Sequence, residues 1–285
     1  MRVLSPAKIN LFLHVTGKRA DGYHDLFSLM CPISLFDELV FETTSVGVSV
    51  QCNHPDIPSD DSNLAHRAAT LFFETARIRA GVSITLTKNI PVAAGLGGGS
   101  SNAASVLVWL NNRFGRPFAS DRLMEMGARL GADVPFFIFG RPALATGIGD
   151  HLTAYPLLPS LPVVLIHPDI HVSTRQIYKN YNLTLTNNKK ISTIPSFTKT
   201  TELDFARHLK NDLEKVTCAL HPEIDLAKKR LMDSGAMGAL MSGSGPTVFG
   251  VFKDEKTAEH AGVSIPREKG ERLFYTKLLT AGHTA

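Results

Sequence analysis

Apolar and polar residues alternate with a period of two in several separate stretches of this chain. Over residues 7–15 (AKINLFLHV), Ile9, Leu11, Leu13 and Val15 fall on one side and Lys8, Asn10, Phe12 and His14 on the other, the pattern of a half-buried strand. Residues 38–42 and 46–52 alternate too, so the beginning of the chain reads as sheet-rich. Val82, Ile84 and Leu86 alternate with Ser83, Thr85 and Thr87, which predicts another strand. The period then changes. Ala103, Ala104, Val106, Leu107, Val108 and Leu110 crowd too densely for a surface helix and predict a buried one. Leu64, Ala65, Ala68, Leu71 and Phe72 repeat at helical spacing behind the turn-rich residues 53–62, with Asp61 or Ser62 as the cap. Ser120 is expected to cap a short helix over 121–130 that Gly131 ends.

In the second half, Pro159 and Pro162 precede an apolar strand at 163–166, which suggests a division into residues 1–158 and 159–285. A helix is expected from 171–178 with Ser173 or Thr174 as cap, and others over 203–217 and 222–234. Residues 182–201, rich in Thr, Asn, Lys and Ser, read as a mobile loop. Residues 237–252 read as two apolar strands around a glycine turn, and a last strand falls near 272–279. Alternating strands and helices of this kind predict an α/β or α+β fold.

Composition narrows the class of protein. With 285 residues, 44% hydrophobic and 20% charged, the chain can bury a large core. No apolar stretch approaches the roughly 20 residues that a membrane helix needs, and Lys8 and Asn10 interrupt the apolar segment where a signal peptide would stand. Cys31, Cys52 and Cys218 are widely spaced, which argues against a disulfide scaffold and for a reducing cytoplasm. A net charge of +4 from scattered basic residues permits an anionic small substrate and does not suggest nucleic-acid binding.

The densest chemistry lies at residues 88–104, KNIPVAAGLGGGSSNAA, between a predicted strand and a predicted helix. Gly95, Gly97, Gly98 and Gly99 let successive backbone N–H groups turn toward one concave spot, and the helix adds roughly half a positive charge there. Such a loop suits phosphate. No lysine follows Gly99, which excludes the common GxxxxGK[ST] loop, and the dinucleotide fingerprint does not fit either. Lys8 and Asn10 share a strand face, which their residue types alone make a solvated face before a ligand site. Tyr23 and His24 can stack on and hydrogen-bond a planar base. Asp133 precedes a strongly apolar run, where a carboxylate must be exposed, paired or functional. Pro135 is expected to push Val134 toward extended backbone. Ser242, Gly243, Ser244, Gly245 and Pro246 form a second glycine turn.

Three stretches together resemble one family: residues 6–11 (PAKINL), 91–101 (PVAAGLGGGSS) and 242–247 (SGSGPT). They are similar to the three motifs of the small-molecule kinases that include galactokinase, homoserine kinase and mevalonate kinase. Residues 19–24 (RADGYH), 95–104 (GLGGGSSNAA) and 131–136 (GADVPF) bring the resemblance nearest to members that phosphorylate a diphosphocytidyl methylerythritol. The resemblance implies a ribosomal-protein-S5-domain-2-like N-terminal domain and a ferredoxin-like C-terminal one, with the active site in the cleft between them. It implies ATP with Mg²⁺, transfer to a tertiary 2-hydroxyl in the non-mevalonate route to isoprenoid precursors, and a cytoplasmic monomer or weak homodimer. Carried over residue by residue, Asp133 is the general base, Lys8 favours its ionised form and the alkoxide, and Asn10 orients them. Tyr23 stacks on the cytosine, His24 hydrogen-bonds it, Tyr178 covers its other face, and Thr174 also contacts the substrate. Pro91, Val92, Ala93, Ala94, Gly95, Leu96, Gly97, Gly98, Gly99, Ser100, Ser101 and Gly243 surround ATP, with Asn63 near the adenine. Ser100 and Ser101 hydroxyls would lie near the phosphates or Mg²⁺, Ser100 being the candidate metal contact. Ala93 and Ala94 depart from the family by standing where relatives often carry glycine, and Met30 where some carry an aromatic. No second carboxylate for Mg²⁺ is evident. A sister kinase of the same superfamily acting on mevalonate, homoserine or a sugar, and an ATP-binding regulatory or interaction protein that has kept the fold, are the competing readings.

Overall fold

The computed structural model describes residues 1–181 and 205–280. The expected loop at 182–201 falls outside the described residues. The chain runs β1 (Arg2–Lys18), β2 (His24–Thr44), β3 (Gly47–Cys52), α1 (Leu64–Ala76), β4 (Gly81–Thr87), α2 (Gly98–Arg113), α3 (Ser120–Leu130), α4 (Val134–Phe139), β5 (Ala143–Thr146) and β6 (His151–Ala154). It continues with β7 (Pro162–His167), α5 (Thr174–Asn180), α6 (Phe205–His208), β8 (Lys210–Asn211), α7 (Glu214–Leu220), α8 (Glu223–Asp233), β9 (Gly238–Met241), β10 (Val248–Val251), α9 (Glu255–Ser264) and β11 (Arg272–Lys277).

Two sheets organise these elements. The larger has the order β3-β4-β2-β1-β8, with β5 added to β2 and β6 to β5. The smaller has the order β11-β7-β10-β9, all antiparallel. Numbered along the chain, that second order is 4-1-3-2 with helices after the first and third strands, the ferredoxin-like arrangement. One core lies under α1 and α2 against β2 and β4, where Phe72, Ile84, Leu39 and Leu107 are fully buried. A second core is shared between the sheets: Ile9, Leu11, Phe12 and Ile33 of the first meet Val163, Leu165, Phe249 and Val251 of the second. Each fully buried side chain of this size stabilises the fold by about 1.5–3 kcal/mol. The contact between the sheets is therefore part of the core.

Several expectations are corrected. The alternation over 7–15 does not persist. Asn10 pairs with Met30 and Phe12 with Leu29, which makes Leu11 an extra residue in β1, and a bulge reverses the side of everything after it. Phe12 thus joins Ile9 in the core, and His14 lies beside it at 5.5 Å between ring centroids. Leu13 moves to the face of Lys8 and Asn10. Val134 is helical rather than extended, because Pro135 stands in the first turn of α4, where its missing N–H costs nothing. The cap of α1 is Asn63, not Asp61 or Ser62, and its side chain accepts the Ala65 N–H at 2.8 Å. Ala119 takes the cap position of α3, and Ser120 is its first helical residue. Within the expected helix over 203–217, α6 stops at His208 and β8 pairs with β1, so the helix resumes only as α7. The strand at 38–42 is the end of a 21-residue β2. Neither β6 nor α9 was expected.

Candidate active site

A cleft of about 1260 Å³ opens where the two sheets meet, beyond the roughly 300–1,000 Å³ of a single small-ligand site. One end is built by the loop that joins β4 to α2. Gly95 and Gly97 sit at φ +75° and +72°, backbone that an L side chain rarely adopts. Space forbids a side chain there as well. A Cβ on Gly95 would lie 2.2 Å from the Ser242 carbonyl oxygen, and one on Gly97 would lie 2.9 Å from the Phe137 ring. Gly97 is the N-cap of α2, and Gly98 and Gly99 form its first turn rather than preceding the helix. That turn offers N–H groups without intrahelical acceptors at the positive end of a 16-residue helix. Ala93 holds φ +52° without being glycine, so the loop carries strain at one point where relatives are expected to relax it.

The second glycine turn closes against the first. Gly243 sits at φ +58°, and Ser242 Oγ donates to the Gly95 carbonyl at 3.0 Å. Asn211 of β8 fixes this turn by donating to the carbonyls of Met241 at 2.9 Å and Gly243 at 2.7 Å. Between the two turns stands Lys8, on the strand face that the residue types alone made solvated. It is buried at 4% exposure. Its backbone N–H donates to Leu96 O at 2.9 Å, its ammonium donates to Asn10 Oδ1 at 2.7 Å, and Asp133 Oδ2 lies 3.7 Å from it. Asn10 in turn donates to Ser28 Oγ at 2.8 Å, which donates to Phe12 O at 2.6 Å. The chain of bonds fixes which face of the Asn10 amide meets the lysine. Asp133 is about one-third exposed at the mouth of α4, with no cap bond occupying it.

The other end of the cleft carries the aromatic set. His24 and Tyr178 stack at 5.1 Å between centroids and 29° between planes, and Tyr181 meets His24 edge-on at 6.4 Å. Burial, helped by the Lys18 ammonium, lowers the His24 pKa and favours a neutral imidazole that can both donate and accept. Burial, with the Asp133 carboxylate, raises that of the Tyr178 phenol. Tyr23 lies on an exposed turn at the rim, where its N–H donates to Asp21 Oδ1 at 3.1 Å. Thr174 and Ser244 share a hydrogen bond of 2.7 Å across the second half of the chain.

Most of the expected residues line this one cleft: Lys8, Asn10, Tyr23, His24, Asn63, Pro91 to Gly95, Gly97 to Ser100, Asp133, Thr174, Tyr178 and Gly243. Two do not. Leu96 is buried in the shared core and reaches the site only through its carbonyl. Ser101 is fully buried and bonds Ser5 Oγ at 2.7 Å, facing β1 rather than the phosphate side. The side chain of Asn63 is already engaged at the cap of α1 and at Pro58 O. Among the described residues, the His, Cys, Asp and Glu groups close enough to share a metal are Glu214, Cys218 and Asp225, outside this cleft. Sequence reasoning missed Asn211, Asp37 and Lys88, since a single amide, carboxylate or ammonium far from its partners along the chain carries no motif of its own.

The fold and the cleft define a class, the small-molecule phosphotransferases. The GHMP kinases N terminal domain family matches residues 63–141, and the GHMP kinases C terminal family matches residues 194–272. The chain is 47% identical over 272 residues to the 4-diphosphocytidyl-2-C-methyl-D-erythritol kinase of Geobacter sp. (strain M21), covering 95% of this chain and 96% of that one. It is 49% identical over 261 residues to the enzyme of the same name from Syntrophus aciditrophicus (strain SB), covering 92% and 93%. A crystal structure of 4-(cytidine 5'-diphospho)-2C-methyl-D-erythritol kinase superposes with a TM-score of 0.83 at 37% identity, covering 98% of this chain and 99% of that one. A homoserine kinase from Cytophaga hutchinsonii shares the fold at a TM-score of 0.71 and 21% identity, covering 98% and 94%. The chain belongs to the 4-diphosphocytidyl-2-C-methyl-D-erythritol kinase family of GHMP kinases. Among the described residues no helix is long and apolar enough to cross a membrane.

Proposed function

We propose that this chain transfers the γ-phosphoryl group of ATP to the 2-hydroxyl of 4-diphosphocytidyl-2-C-methyl-D-erythritol, yielding ADP and the 2-phosphate. The step belongs to the non-mevalonate supply of isoprenoid precursors. The observation that carries the reading is the buried Lys8 ammonium, 3.7 Å from Asp133, between a glycine phosphate loop and an aromatic pocket. Asp133 accepts the proton of the substrate hydroxyl. The alkoxide oxygen bonds to the γ-phosphorus as the bond from phosphorus to the β–γ bridging oxygen breaks, and the electron pair leaves with ADP. A tertiary alcohol is a weak acid, so a positioned base beside a fixed cation is what this step requires. The N–H groups of residues 95–99 and the positive end of α2 take up phosphate charge, and most of the catalysis is positioning.

His24 and Tyr178 receive the cytosine, with Tyr23 closing over it from the rim and Thr174 on the substrate side. Ser100, which lines the cleft at the start of α2, would help hold Mg²⁺ brought in with ATP, and the ion would supply screening of the phosphate charge, as is common where few carboxylates are at hand. The protein works in the cytoplasm as a monomer or weak homodimer, and its halves divide at residues 158 and 159. Phosphorus NMR of a reaction with ATP and the cytidyl substrate tests the reading, with mevalonate, homoserine and galactose as competitors. A new phosphomonoester resonance on the cytidyl substrate is expected. Preferential phosphorylation of mevalonate, homoserine or galactose would overturn the assignment.

A further inference from the structure

Asp37 lies on β2, fully buried and away from the cleft, and the transfer step gives it no part. Its two oxygens nevertheless hold both ends of the phosphate loop. Oδ1 accepts the backbone N–H groups of Asn89 at 2.8 Å and Ile90 at 2.9 Å, where the chain leaves β4. Oδ2 accepts Asn102 Nδ2 at 3.0 Å, in the second turn of α2, and pairs with the Lys88 ammonium. Lys88 also donates to Asn102 Oδ1 at 3.1 Å, and Asn102 reaches Ser5 Oγ at 3.2 Å. The loop between these anchors, residues 91–97, makes its turn with both ends fixed by one carboxylate.

The pair is expensive in the form it takes. The side chains of Asp37 and Lys88 are 0% and 4% exposed, and a buried ion pair returns less attraction than its desolvation removes unless further hydrogen bonds complete it. Here they do, and every one of them runs to the loop, to α2 or to β1. The ammonium lies 3.0 Å from where a Cβ on Gly98 would be, so the missing side chain of Gly98 is what admits the lysine against the first turn of α2. We propose that Asp37 is a positioning residue for nucleotide binding, which through Lys88 and Asn102 locks the phosphate loop and the start of α2 in register. This rests on reading residues 91–99 as the ATP loop.

Asp37→Asn keeps the shape, loses the charge and leaves Lys88 unpaired. The probe is adenylyl imidodiphosphate with Mg²⁺, titrated calorimetrically without acceptor, beside a titration with the cytidyl substrate. The Kd for the nucleotide analogue is expected to rise about tenfold or more, the scale of one lost charge-assisted bond, while the cytidyl Kd stays within about twofold. Asn102→Ala keeps the ion pair and cuts the link to α2; it should shift the same way by a smaller factor. A purely structural role would lower the unfolding midpoint and leave both Kd values of the folded protein unchanged. That result, or an equal rise for both ligands, overturns the proposal. If Asp37→Asn does not fold, the split in Asn102→Ala decides, and the converse holds. Failure of the wild type to bind the cytidyl substrate would strike the substrate reading and leave the nucleotide comparison standing.

Discussion

Asp133→Ala separates the chemical step from binding and from folding. The carboxylate makes no cap bond to α4, is about one-third exposed and meets Lys8 at 3.7 Å. An ion pair in that setting contributes about 0–1 kcal/mol to stability, so the fold should scarcely notice its loss. The reaction should. A positioned general base supplies about 10²–10⁴ in rate, or about 2.7–5.5 kcal/mol of barrier. The phosphate loop stands on other residues, so nucleotide affinity should hold. The assay is coupled ADP release with both substrates saturating, alongside calorimetric ATP-analogue binding and a denaturant midpoint. We expect kcat to fall at least about 100-fold, with analogue affinity and midpoint close to wild type. Asp133→Asn keeps the shape without the proton affinity and should be as slow. A kcat in either variant near the wild-type value refutes the base; an Asn variant much faster than the Ala one turns the role into orientation of Lys8.

Gly95→Ala sets a Cβ 2.2 Å from Ser242 O at φ +75°; left-handed backbone costs about 1–2 kcal/mol and the forced shift about 1–3 kcal/mol. Chemical denaturation should show that loss, and an unchanged midpoint would mean the two glycine turns do not touch. Burial, aided by the Arg272 charge, pulls the pKa of His167 down to about 4 from 6.5. The folded state then binds fewer protons than the unfolded one between these values, so the associated stability is complete above pH 6.5 and drains away toward pH 4. Replacing His167 with Gln should flatten that part of the stability–pH curve, and an unaltered curve would discard the assignment. Tyr23→Ala should raise KM for the cytidyl substrate about tenfold, the scale of one base stack, and KM for ATP by far less. Equal effects on the two would remove Tyr23 from the base pocket.

The strands of the large sheet were legible where one face is solvated, as in β4 with Val82, Ile84 and Leu86 buried against polar neighbours. They were not legible where both faces are covered. β2 runs through Leu29, Met30, Cys31 and Ile33, all buried, and gives no alternation to read. The bulge at Leu11 was invisible for a related reason, because an extra apolar residue inside an apolar run changes side without changing pattern. Glycine motifs announced the turn between β4 and α2 since its backbone conformation demands them. Ser101 misled because a hydroxyl beside that motif can face either way, and only the helical phase of α2, which turns it toward Ser5, decides.

What makes Lys8 special is a matter of constraint rather than residue type. A surface lysine has four free torsions, and fixing them costs up to about 2 kcal/mol of rotamer entropy when a ligand binds. Here that cost is met in folding. The backbone of Lys8 is held by Leu96 O, its ammonium by Asn10, and Asn10 by Ser28. On the proposed mechanism the charge therefore stands where negative charge would develop before any substrate arrives, which is the condition for electrostatic stabilisation of a transition state. The residues of the cleft fall at two ends. Lys8, Leu96 and Gly95 belong to the loop end, and His24, Tyr178 and Thr174 to the other. The bulge in β1 separates them, since it alone turns Leu13 into the cleft beside Asn10 and sends Phe12 into the core. Regular pairing of the same sequence, with Leu11 in the ladder instead of bulged out, would put Phe12 on the face of Lys8 and Asn10 and Leu13 in the core between the sheets, and the site would lose its floor.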